Sequence, residues 1–369
     1  MPLPRHALIT STLLVSALAL TACGTTEEPD PGGDPQTSEA SADAPAGGQS
    51  EDSADTGGSA TEAPGAGSAT DDDAAGASEG PVTYTDERGE HTLEEPADEV
   101  VSLEWGLTEN LLALGIEPVG QADIEGYNTW DTVAPLDPEG IVDVGTRGEP
   151  SLSDITALEP DLIVTTTDLP DNVIGQLEDI APVLTVRGSD SADPLAYMRS
   201  TVELLGTATG TEDKAEQALA QFDETVAEGQ AAIEDAGLAG EEFVMADGWL
   251  NNGVVSVRMF TPGSYFGALG EELGLVNAWT EGGDPDYGLA QTDVEGLTAL
   301  DELHFIYAAN DSEADPFADG LADNPIWQQL PFVTADQVHR IPDGIWMFGG
   351  PLSGEAFIDA TVDALTSEG

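Results

Sequence analysis

Residues 151–164 read Ser-Leu-Ser-Asp-Ile-Thr-Ala-Leu-Glu-Pro-Asp-Leu-Ile-Val, and residues 292–307 read Thr-Asp-Val-Glu-Gly-Leu-Thr-Ala-Leu-Asp-Glu-Leu-His-Phe-Ile-Tyr. Each stretch opens on a hydroxyl residue with an acid three positions later, the pattern of a capping box, and continues into a short helix and an apolar run suited to a buried strand. A second echo precedes each copy: 110–115 and 269–274 both read as helices stopped by glycine ahead of an apolar segment. Strands alternating with helices predict parallel sheets, and the duplication predicts two α/β lobes.

Between the copies lies the strongest helical pattern in the chain, residues 211–236. Ala215, Ala218, Leu219, Phe222, Val226 and Ile233 recur at helical spacing, Thr211 and Glu212 stand at its start, and Gly237 follows its end. At 1.5 Å per residue such a helix runs about 39 Å, comparable to the diameter of a lobe. A single helix of that length predicts a stiff link. The expected organisation is an N-terminal lobe over 81–208, an inter-lobe helix over 209–238 and a C-terminal lobe over 239–369.

Working outward to the N-terminus, Arg5 and His6 precede an apolar run from Ala7 to Leu20, too short to span a bilayer as a mature helix. The run ends in Leu20-Thr21-Ala22-Cys23, and Cys23 is the only cysteine of the 369 residues. A secretory signal over 1–22 is expected. With one thiol there is no disulfide framework, so burial alone must stabilise the folded part. Residues 24–80 hold 14 acids with no Lys, Arg or aromatic side chain. Such a composition cannot offset the entropy of ordering, so 23–80 are expected to form a disordered tether with a reach of roughly 40 Å.

From Pro81 onward the chain retains 58 of its 72 acids and seven of its eight bases, a formal charge of −51. Nucleic acid and anionic lipid surfaces are poor partners for such a body. The lone lysine, Lys214, follows Asp213, which excludes a P-loop, and there is no Gly-x-Ser-x-Gly elbow. A hydrolase would need a nucleophile and a general base, and with only four histidines the sequence offers neither in a recognisable pattern. No enzymatic activity is expected. Arginines, by contrast, are scarce enough to be informative.

Ligands of two-lobed α/β proteins bind at the carboxyl ends of strands, in loops facing the crevice. Glu104 and Trp105 follow the apolar run 100–103, Tyr127 and Trp130 lie in a polar stretch after 119–123, Arg147 follows 141–145, and Arg258 follows 254–257. Tyr287 sits in an acidic glycine loop with little to pack against, and Trp346 precedes Gly349-Gly350-Pro351. By residue type alone Trp105, Met347 and Phe348 read as core rather than cleft, and Arg147 could as well pair with Glu149 on the surface. Spacing by itself does not name a ligand.

Several blocks together carry a resemblance. Ser102-Leu103-Glu104-Trp105 with Leu111–Ile116, then Asp143–Pro150, Asn277-Ala278-Trp279, Asn324–Val333 and Trp346–Ser353 lie in the order found in ferric-siderophore binding proteins, most closely the ferric-hydroxamate branch. The run ending in Cys23 likewise resembles the lipobox of bacterial lipoproteins, where the thiol is lipidated. The resemblance implies a monomeric, membrane-anchored receptor on the extracellular face, with a helix-linked two-lobed fold of the class III solute-binding type whose lobes move little. It implies capture of an iron(III)-siderophore, with no resident cofactor and no protein atom on the metal, and delivery to an ABC permease. By position, Arg147 matches the arginine that meets hydroxamate oxygens, Tyr287 an aromatic placed against the ligand, and Trp130 and Trp346 cleft aromatics. The chemistry suits those roles: a guanidinium donates several hydrogen bonds to partly negative oxygens, and aromatic faces cover methylene chains.

Two departures stand out. Where the hydroxamate branch carries a tyrosine after 162–164, this chain has Thr165, Thr166, Thr167 and Asp168. The glutamate that the family presents to the permease is replaced in the first lobe by Ser153, leaving Asp154 there and Glu295 in the second lobe as docking candidates. Cobalamin or haem would suit the same fold, although haem asks for an axial His or Tyr and His91, His304 and His339 show no clustering in sequence. Direct metal capture is not indicated, because acids in such excess identify no site.

Overall fold

The computed structural model of the protein describes residues 80–367. The expected signal, Cys23 and nearly all of the tether lie outside the described residues. An antiparallel hairpin, β1 (Val82–Asp86) and β2 (Gly89–Leu93), opens the described chain. The N-terminal lobe then runs through β3 (Val100–Ser102), α1 (Trp105–Ala113), β4 (Gly120–Gln121), α2 (Ile124–Trp130) and β5 (Val142–Asp143). It continues with a small ladder of β6 (Gly145–Thr146) and β7 (Glu149–Pro150), then α3 (Leu152–Leu158), β8 (Leu162–Thr166), α4 (Asp171–Glu178), β9 (Val183–Val186) and α5 (Pro194–Thr209). Its sheet is parallel throughout, in the order β5-β4-β3-β8-β9. β8 and β9 are buried along their whole length, as strands covered on both faces must be.

The expected long helix is α6 (Glu212–Asp235), 24 residues and about 36 Å long. Gly210, at φ 67°, ends α5 in the left-handed conformation and turns the chain into it. Ala215, Leu219, Phe222, Val226 and Ile233 are buried as the periodicity predicts, whereas Ala218 is only half-buried. Beyond it, the C-terminal lobe comprises β10 (Glu242–Asn251), β11 (Val254–Phe260), α7 (Tyr265–Glu272), β12 (Val276–Asn277), β13 (Leu289–Thr292) and β14 (His304–Tyr307). It closes with α8 (Pro331–Thr334), β15 (Val338–Arg340) and α9 (Pro351–Thr366). Here the sheet is mixed, in the order β13-β11-β10-β14-β15, with β12 joining the start of β10. β10 and β11 form a long antiparallel hairpin, whereas β14 and β15 continue in parallel.

The repeat is present in both lobes with one difference. In the first copy Ser151 precedes α3, but its side chain does not cap the helix and bonds Ser153 instead. In the second, Asp293 accepts from the Gly296 amide at 3.0 Å and only a 3₁₀ turn over Gly296–Ala299 follows. The largest core crosses the lobe boundary. Val100, Leu162, Val164 and Leu184 of the first sheet share one continuous apolar interior with Phe243, Met245, Phe260 and Ile306 of the second, joined through α5, α6, α7 and α9. Rotating one lobe against the other would open this interior to water at roughly 25 cal/mol per Å² exposed, so the lobes are held as one body.

A second inter-lobe tie is polar. Glu109 of α1, fully buried, accepts from the amides of Gly350 and Ser353, both at 2.9 Å, and from the Ser353 hydroxyl at 2.6 Å. Its carboxyl thus caps the first turn of α9, where backbone N–H groups lack intrahelical partners and the helix dipole favours negative charge. Asp131, fully buried beside Glu109, has neither carboxyl oxygen hydrogen-bonded to a donor among the described residues. Burial, followed by the neighbouring Glu109 charge, pushes the Asp131 carboxyl up to about 9. A proton held on Asp131 removes the repulsion between the two buried carboxyls.

Candidate functional site

A cavity of about 430 Å³ opens between the lobes, lined by residues from the carboxyl ends of β8 and β9, the N-terminal turn of α1, β11 and the 346–349 segment. Its volume falls in the range of small-molecule sites. Arg147, at the turn between β6 and β7, reaches the cavity with its guanidinium carbon 3.9 Å above the Trp105 ring and 5.6 Å from that of Trp346. Its Nη1 donates to Glu104 Oε1 at 2.8 Å. Burial raises the Glu104 carboxyl, and Arg147 works in the opposite direction. The guanidinium is therefore fixed by a stacked indole and a carboxylate, with further N–H groups left to donate.

Facing it from the C-terminal lobe are Tyr287, Phe348 and Trp346. The Tyr287 ring stands edge-on to Phe348 at 5.6 Å, and Phe348 stands edge-on to Trp346 at 5.2 Å. Across the opening, the Tyr287 hydroxyl donates to Asp168 Oδ2 of the first lobe at 2.5 Å. Burial and that carboxylate both raise the phenol well above its ordinary range. Gly188 makes room for this contact, since a Cβ there would lie 1.7 Å from the Tyr287 hydroxyl oxygen. Arg258 enters from β11, with Asp247 directly opposite it on β10. Its Nε donates to Asp247 Oδ1 at 2.8 Å and its Nη2 to the other oxygen. Burial pushes the Asp247 carboxyl up, and Arg258 opposes that shift.

Arg147, Tyr287, Trp346 and Arg258 thus meet at one cavity, and the two other aromatic candidates do not. Trp105 is buried behind Arg147, its Nε1 donating to the Ala122 carbonyl at 3.3 Å; it supports the arginine rather than lining the space. Trp130 lines a separate cavity of about 50 Å³ beside Gly248 and Asn310. The polar loop expected around it is the helix α2, because Asp123, at φ 57°, caps it by accepting from the Gly126 amide. Tyr127 on that helix is fully buried. Arg258 lies inside β11 rather than after a strand. Met347 and Phe348, expected in the core, do lie in and against it, and both also line the cavity.

Sequence reasoning missed Arg187 and Asp168. Both lie just past strands, Arg187 directly after β9 and Asp168 two residues beyond β8, so the same positional rule would have found them. Arg187 packs 4.8 Å over Tyr197 and pairs with Glu87 and Asp190, each at 2.9 Å. The histidines need a correction as well: His304 Nδ1 lies 3.4 Å from His339 Nε2 across β14 and β15. Neither lines the cavity, so this pair offers no axial ligand there. Asp154 and Glu295 are both exposed, one in each lobe. No group of three or more metal-ligating side chains occurs among the described residues. Nor is any of their helices long and apolar enough to cross a membrane.

Two α/β lobes joined by one long helix, with a rigid aromatic and arginine-lined crevice between them, define a solute receptor of the class III type. The chain belongs to the periplasmic binding protein family, whose model matches residues 100–344. Among curated relatives it is similar to the iron(3+)-hydroxamate-binding protein FhuD of Escherichia coli strain K12, 30% identical over 269 residues, 72% of this chain and 86% of that one. It is also similar to the Fe(3+)-citrate-binding protein YfmC of Bacillus subtilis strain 168, 28% identical over 276 residues, 73% of this chain and 81% of the relative. Among solved structures, the Fe3+-Desferal-bound siderophore-binding protein FhuD of Vibrio cholerae superposes with a TM-score of 0.64 at 28% identity, covering 73% of this chain and 98% of that one. Related proteins of this family are solute receptors, periplasmic or lipoprotein in type.

Proposed function

We propose that this protein captures a ferric siderophore, of the hydroxamate class, in the inter-lobe cavity and presents it to an ABC importer. One observation carries the reading: Arg147 is held on the Trp105 ring with donors free toward a space walled by Tyr287, Trp346 and Phe348. Hydroxamate oxygens around Fe(III) accept from the guanidinium, and the rings cover the aliphatic linkers. The iron stays within its chelator, so the protein supplies no metal ligand and performs no chemistry. Relatives named for ferric hydroxamate and ferric citrate support a chelate as the cargo over cobalamin or haem.

In this proposal Cys23 carries the lipid and the acidic 24–80 segment holds the receptor, working as a monomer, near the membrane. Asp154 and Glu295 are exposed carboxylates available for docking to basic residues of a permease. A tryptophan-fluorescence titration against ferric hydroxamates, catecholates, citrate, haem and cobalamin tests the ligand. Quenching by hydroxamates that is lost in Arg147→Ala and Tyr287→Ala supports the proposal. Quenching by haem or cobalamin alone refutes it.

A further inference from the structure

The charges around the cavity constrain the charge of what enters it. Three arginines reach the space, and each already has a carboxylate: Glu104 for Arg147 at 2.8 Å, Asp247 for Arg258, and Glu87 with Asp190 for Arg187 at 2.9 Å each. Asp168 adds a further carboxylate on the lining. It is exposed, and its contacts among the described residues are uncharged, the Tyr287 hydroxyl at 2.5 Å and the Thr166 hydroxyl at 3.4 Å. Three guanidinium groups therefore stand among five carboxylates, on a body already of strong negative charge.

Iron(III) bound by three hydroxamates is electrically neutral, whereas iron(III) bound by three catecholates carries three negative charges and its citrate complexes are also anionic. An anionic chelate entering here would meet cations that are already paired and a surplus of carboxylate. A neutral chelate loses nothing on that account. One with a pendant ammonium gains a partner, because Asp168 stands at the opening and needs only to exchange the Tyr287 hydroxyl for a charged donor.

We propose that the cavity selects neutral to monocationic ferric tris-hydroxamates against anionic chelates, with Asp168 as the residue that receives a cationic group on the ligand. This rests on the siderophore reading and specifies the ligand's charge within it. The test uses four probes on the mature full-length chain, read by tryptophan fluorescence at low and physiological salt. They are ferric desferrioxamine B, which bears one free ammonium, its N-acetylated neutral form, a ferric tricatecholate and ferric citrate.

The ammonium form is expected to bind about three- to fivefold tighter than the acetylated form, as suits a partly exposed ion pair. That ratio should shrink with salt and fall toward one in Asp168→Asn, and the tricatecholate should bind at least about tenfold more weakly than either. A ratio unchanged in Asp168→Asn, or a tricatecholate bound as tightly as the hydroxamates, overturns the inference while leaving a siderophore receptor. If none of the four probes binds, the siderophore reading itself falls and this inference with it. Because Asp168 is exposed, its substitution is not expected to impair folding, and an unchanged thermal midpoint verifies that.

Discussion

Replacing Glu109 separates shape from charge at the tie between the lobes. Glu109→Ala removes three hydrogen bonds from a fully buried site and strands the Gly350 and Ser353 amides at the start of α9. Bonds to a charged acceptor are each worth about 1.5–3 kcal/mol, but the variant also removes the desolvation cost of the buried carboxylate. A net loss of about 4 kcal/mol follows, within the range measured when one member of a buried polar pair is deleted. For a folded body of 288 residues that is about 7 °C in Tm. Glu109→Gln is different. Its carbonyl oxygen can accept from both amides and its amide nitrogen can donate to Ser353 Oγ, so the loss should be about 1 kcal/mol.

The pH dependence supplies a second axis. The folded chain holds a proton on Asp131 up to about pH 9, whereas the unfolded chain releases it near its ordinary value of 3.8. This group's contribution is therefore complete below about pH 4, declines as pH rises and is gone above about 9. Glu355, pushed up to about 7 by burial and by Asp359, adds a loss of the same sign over a narrower window. Asp131→Asn should flatten the slope of stability between pH 5 and 9 without abolishing it. Urea unfolding of the four proteins across that range provides the assay. The reasoning is refuted if Glu109→Ala lies within about 1 kcal/mol of the parent, or if Asp131→Asn leaves the pH slope unchanged.

Three further outcomes are expected. Arg147→Ala should weaken ferric hydroxamate binding by at least about tenfold, and Arg147→Lys should recover only part of it because a single ammonium cannot reproduce the fork of donors; fluorescence titration decides this. Gly188→Ala places a methyl where the Tyr287 hydroxyl sits, so ligand affinity should fall several-fold, with a change in urea midpoint corresponding to less than about 1 kcal/mol. Asp154→Lys with Glu295→Lys should leave ligand affinity intact while lowering uptake of radiolabelled iron in cells, and unchanged uptake would remove these carboxylates from docking.

Much of the fold was legible because it is periodic. The α6 stripe appears in sequence as a 3.6-residue repeat, and β8 and β14 as short apolar runs that follow the two capping-box copies. The cavity was only partly legible. Arg147 and Tyr287 follow from loop position, whereas for Trp105 position suggested the cleft and residue type the core, and it lies buried beneath the guanidinium. The helix at 124–130 was hidden by its start: Asp123 caps it from a left-handed conformation that no short-range pattern marks. The Glu109–Asp131 pair was invisible, since in so acidic a chain nothing distinguishes two carboxylates that meet in the interior from the many that face water.

The apolar interior common to Val164 and Phe260 bears on how a loaded receptor can be told from an empty one. A molecule whose halves share their inside has no jaw to snap shut, so occupancy must be announced at the mouth, by the chelate's own outline and by the few side chains it pushes aside. An importer reading such a receptor would sense a filled notch between two fixed shoulders.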